Sequence, residues 1–90
     1  MIQVNVVMPG GTHREIVRDI DAAERSARAA IFADAGSKLV EGHGLICHAI
    51  GNAMHHTAET EMIVNGRWSW RGSGYVVTLT PTEEGTTLGT

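Results

Sequence analysis

Ninety residues with 42% hydrophobic and 19% charged side chains make one folded domain, leave no room for a second core, and exclude a disordered chain. A net charge of −3 and a single lysine, Lys38, exclude a broad phosphate-binding surface and a polybasic membrane patch, so nucleic acid is not expected as a direct ligand. Cys47 is the one cysteine, so no internal disulfide forms, which fits a reducing cytosol.

Ile2 to Met8 reads as a strand, because the apolar start lacks the basic region of a signal peptide. No apolar run approaches the eighteen residues that a bilayer span needs. Pro9-Gly10-Gly11 ends the strand. Thr12-His13-Arg14-Glu15 matches a capping box, since the Thr hydroxyl can accept from the third helical N–H while Glu15 reaches back. Ile16, Ile20, Ala23, Ala27 and Ala30 follow at helical spacing, which predicts a helix over 13–35 with Gly36 as its C-cap. The alanines would let that helix lie close to a sheet. Phe32 falls off this face and either tucks under a neighbouring element or offers a partner contact.

Residues 37–56 fit two patterns. Leu39, Ile46, Ile50 and Ala53 suit a helix, whereas Gly42, Gly44 and Gly51 weaken one by about 1 kcal/mol each relative to Ala. The apolar run Leu45–Ile50, bounded by glycines, favours strands at 38–41 and 45–50. From Glu59 to Thr80 the alternation predicts an antiparallel meander. Asn65-Gly66 is a strong hairpin signal, because both central positions of a type I′ turn need φ > 0. Gly72-Ser73-Gly74 marks the next reversal. Trp68 and Trp70 share one strand face, and Arg67, Ser69 and Arg71 the other. Tyr75, Val77 and Leu79 alternate along the last strand, which Pro81 stops. Residues 1–80 thus form the domain, and 81–90, without apolar periodicity, a flexible tail.

The expected architecture is α+β: one long helix packed on an antiparallel sheet of four or five strands. The order of strand, helix and meander is similar to a cystatin-like arrangement in topology alone, and the similarity implies no function. The tryptophans either fill the space above the alanine face or, if the helix covers the other side, form a binding platform.

Five histidines are present, and His43, His48, His55 and His56 gather around Cys47. Imidazole and thiolate suit zinc or another borderline metal. HExxH and CxxC patterns are absent, so this set stands as an alternative, with hydrogen-bonded or solvated histidines as the plain reading. No serine elbow, Walker loop or paired acid and base is present, and no cofactor is expected. Glu59 and Glu61 could pair with Arg67 and Arg71 across the hairpin, worth tenths of a kcal/mol.

Three function classes follow. The leading one is a non-enzymatic interaction module that docks on a larger protein, as small acidic α+β proteins of phages and mobile elements do when they inhibit host defence. Its expected contact residues are Glu59, Glu61, Arg67, Arg71, Tyr75 and Phe32, with dimerisation alongside. The others are a His/Cys metal-binding protein and a structural homo-oligomer.

Overall fold

A computed structural model describes residues 1–35, 41–72 and 74–82. Strands β1 (Ile2–Met8) and β2 (Gly11–Val17) form a hairpin. Helix α1 (Ile20–Ala35) follows. Helix α2 (Glu41–Ala53) runs through a π-helical turn (Met54–Ala58) into α3 (Glu59–Asn65). A second hairpin, β3 (Trp68–Gly72) and β4 (Tyr75–Pro81), completes the described fold. The four strands make one antiparallel sheet in the order β2-β1-β4-β3.

The expected α+β class, with a four-stranded antiparallel sheet and a long helix, is what the chain adopts. Alternation sorts the sheet into two faces. Val4, Val6, Val17, Trp68, Tyr75, Val77 and Leu79 are buried on one of them. Against these pack Ala23, Ala27, Ala30 and Ile31 of α1 and Cys47, Ile50, Met54, Ala58 and Met62 of the second helical rod. Trp68 is therefore core, and Trp70 packs half-buried against it. The alanine face does what its spacing predicts: Ala23 and Ala27 are fully buried.

Several element assignments are corrected. The capping box at 12–15 lies in β2, not in a helix. Gly11, at φ 146°, lets the chain reverse after Pro9-Gly10, and His13, Glu15 and Val17 then alternate inward opposite Val6, Val4 and Ile2. The true N-cap is Asp19, whose carboxylate accepts from the Ala22 N–H at 2.8 Å. The strand expected at 45–50 is helix, because Cys47, Ile50, Met54, Ala58 and Met62 must all face the core, and only helical spacing does that.

The strand expected from Glu59 is α3, an extension of a rod that has already been nucleated. Asn65-Gly66 makes no hairpin. Gly66, at φ 80°, is instead the left-handed cap of α3, and its N–H donates to the Met62 carbonyl at 3.0 Å. The chain order is thus hairpin, two helices, hairpin, rather than strand, helix and meander. The strand part at 38–40, the Gly36 cap, Ser73 and residues 83–90 lie outside the described residues.

Candidate functional site

The sequence-predicted residues separate once the fold is assembled. Glu59 and Glu61 lie on α3, Arg67 on the connection to β3, and Arg71 on β3. Among the described residues no ion pair joins them, because the hairpin that would have opposed them is not formed. Tyr75 is buried on the helix side, and its hydroxyl donates to Asp34 at 3.4 Å. Phe32 is 37% exposed near the end of α1. Burial pushes the Tyr75 phenol up, and the Asp34 carboxylate adds to the shift.

The His/Cys segment is likewise dispersed. Cys47 is buried in the core. Burial pushes its thiol up, against the pull of Arg28, so it stays a protonated apolar filler. His48 is exposed beside Asn52. His56 donates from Nδ1 to the Asn52 carbonyl at 2.9 Å. His43 has no described side chain. Of the histidines with described side chains in this segment, His55 is the one that pairs with α1, where Nε2 lies 2.6 Å from Glu24 Oε1 and 3.6 Å from Asp21 Oδ1.

The π-helical turn explains this placement. A wider turn shifts the phase of the helix and leaves carbonyls of the preceding turn to be satisfied from side chains. His56 serves Asn52, and the Thr57 hydroxyl donates to the Ala53 carbonyl at 2.8 Å. Trp68 fixes the turn from β3, its indole N–H donating to Thr57 Oγ1 at 3.0 Å. Met54 and Ala58 stay buried while His55 projects to the groove between the helices.

A second polar cluster joins β2 to α1. The Ser26 hydroxyl donates to Glu15 Oε1 at 2.6 Å and lies 3.0 Å from His13 Nε2. This resembles a catalytic trio only in composition. A nucleophilic serine must give its proton to the imidazole, with the carboxylate on the other ring nitrogen. Here the hydroxyl proton goes to Glu15, whose carboxyl is held below its usual range by that hydrogen bond first and by His13 second. A shallow open groove of about 430 Å³ beside it is lined by Met8, Thr12, His13, Ala30, Ala33 and Asp34. Asp34 is already committed there to the Gly10 N–H and to Tyr75.

The far face of the sheet has no described covering element, because the helices pack on the other side. Its rows follow from the register. Arg14, Asn5, Thr78 and Ser69 lie side by side across β2, β1, β4 and β3. The next row is Thr12, Val7, Val76 and Arg71, and the row on the other side begins Ile16, Gln3 and Thr80. Val7 and Ile16 are 43% and 42% exposed. Two arginines and no acid lie among these residues, in a chain of net charge −3. Asn5 Oδ1 is buried at the centre of this face without a hydrogen-bond partner among the described residues. Alternation along β3 placed Arg71 and Ser69 together on this face; Arg14 could not be found the same way, because it was read as helical.

No described helix is long and apolar enough to cross a membrane. No protein-family model, no curated protein and no solved structure matches this chain.

Proposed function

We propose that this protein is a non-enzymatic docking module that binds a larger protein through the far face of its sheet. The observation that carries the reading is the mixed character of that face: apolar Val7, Ile16 and Val76 among hydroxyls, flanked by Arg14 and Arg71 without a neighbouring acid on the face. Charge complementarity then favours an acidic, partly apolar protein surface. Two arginines neutralise too few phosphates to hold nucleic acid.

Strand spacing of about 4.8 Å and a rise of about 3.3 Å per residue give the face roughly 400 Å² in projection. That is about half of what a standard interface covers on one partner. The contact therefore either extends over the β2 edge or remains transient. Such a module acts by occupying a surface, which is how a small inhibitor of a host defence protein would work.

The test is a paired comparison. Proteins captured from the native host by the wild type are identified by mass spectrometry, and each is titrated against Arg14→Glu/Arg71→Glu and against Glu59→Lys/Glu61→Lys. The proposal expects an acidic partner whose binding the first pair abolishes and the second leaves intact. Binding unaffected by the first pair would exclude the sheet face.

A further inference from the structure

We propose that Asp21 and Glu24 of α1 and His55 of the π-helical turn form a three-ligand site for a divalent transition cation of the zinc class. This site is separate from the sheet face and does not depend on it.

The three donor atoms come from two elements and lie within 4.8 Å of one another. A tetrahedral ion with bonds of about 2.1 Å holds its ligand atoms roughly 3.4 Å apart. The 3.6 Å between His55 Nε2 and Asp21 Oδ1 already meets that spacing. The 2.6 Å between His55 Nε2 and Glu24 Oε1 is a hydrogen-bond length. An ion would replace the proton between these atoms, and they would separate by less than about 1 Å.

The surroundings orient the donors. Arg28 Nη1 holds the second Glu24 oxygen at 3.3 Å, which leaves Oε1 for His55. Gly51 provides the room, since a Cβ there would stand 2.4 Å from Glu24 Oε2. Glu24 is thereby sunk between the helices, its side chain only 20% exposed, while Asp21 at 72% stays open to an arriving ion. The π-helical phase turns His55 inward from a helix whose neighbouring His48 and His56 bond elsewhere. An imidazole with two carboxylates suits zinc, nickel or cobalt better than magnesium or calcium, which take all-oxygen sets. Three protein ligands leave a coordination position to water.

The test uses untagged full-length protein titrated calorimetrically with Zn²⁺, and with Co²⁺ followed by its visible absorption. One ion per chain is expected, with a rise in Tm on adding Zn²⁺. His55→Ala and Asp21→Asn should each abolish it, Arg28→Gln should weaken it about tenfold, and His48→Ala and His56→Ala should leave it unchanged. Asp21 is exposed, so Asp21→Asn remains folded even if His55→Ala does not. Absence of stoichiometric binding, or binding that survives Asp21→Asn and His55→Ala, would overturn the site and leave a plain ion pair.

Discussion

Replacing Gly51 by alanine sets two opposing effects of known size against each other. Gly51 lies inside α2, where alanine gains about 1 kcal/mol of helix propensity. The added Cβ would meet Glu24 Oε2 at 2.4 Å and Cδ at 3.1 Å, so the carboxylate must move. Moving it gives up the contacts to His55 and Arg28, each worth roughly 0.2–1 kcal/mol for a partly exposed pair. The sum predicts a change in unfolding free energy of under about 1 kcal/mol in either direction. For a domain of this size that is a Tm shift within about 6 °C. Urea denaturation of four proteins, the parent, Gly51→Ala, Glu24→Ala and the double variant, closes the cycle. With Glu24 truncated, Gly51→Ala should stabilise by the full ~1 kcal/mol. A loss above about 2 kcal/mol in both backgrounds would refute the reasoning, because it would place the helix backbones, rather than one flexible side chain, in the way.

Trp68→Phe should cost about 1 kcal/mol and Thr57→Val about 1–3, since the latter leaves a buried indole N–H unbonded; chemical denaturation measures both, and equal small effects would contradict the Thr57 bond. Ile31→Ala, at a fully buried position, should cost about 2–5 kcal/mol, read by the same assay. Cys47 and Tyr75 have raised folded-state values, so their contributions are complete below their unfolded values and disappear as pH rises through the folded ones. Stability should therefore fall on the alkaline side, and Cys47→Ser should flatten the thiol part of that fall. Glu15 is shifted down, so its contribution is present above the usual carboxylate range and is lost as pH falls through its folded value; Glu15→Gln should reduce the acid sensitivity of melting.

How far the sequence spoke depended on whether a local signal had one use or two. Helical spacing identified the buried alanines of α1, and period-two alternation put Trp68 on a core face, because in each case one face had to be buried. The same alternation set Tyr75 with Val77 and Leu79, yet Tyr75 was expected as a contact residue and is 5% exposed in the core. The capping-box pattern at Thr12–Glu15 failed, because four residues satisfy it equally well in an edge strand, while Asp19, further along the chain, carried the true cap. Asn65-Gly66 reported a positive φ faithfully, but a helix cap uses that conformation as readily as a hairpin does. Glu59–Val64 alternates like a strand, yet continuity with the preceding helix outweighed β-branched preference and left Ile63 and Val64 78% and 72% exposed. Of the candidate site, His55 was legible as a residue type in a histidine-rich stretch. Its partners Asp21 and Glu24 were not, since nothing local shows that a π-helical turn will bring residues 31 positions apart to 2.6 Å.

A photo-crosslinking amino acid placed at Thr78, in the middle of the far sheet face, and separately at His48 on the exposed helical side, addresses the docking account directly in the native host. The account predicts a discrete protein adduct from Thr78 that vanishes with Arg14→Glu/Arg71→Glu, and none of that mass from His48. The same adduct from His48, with Thr78 silent, would contradict it.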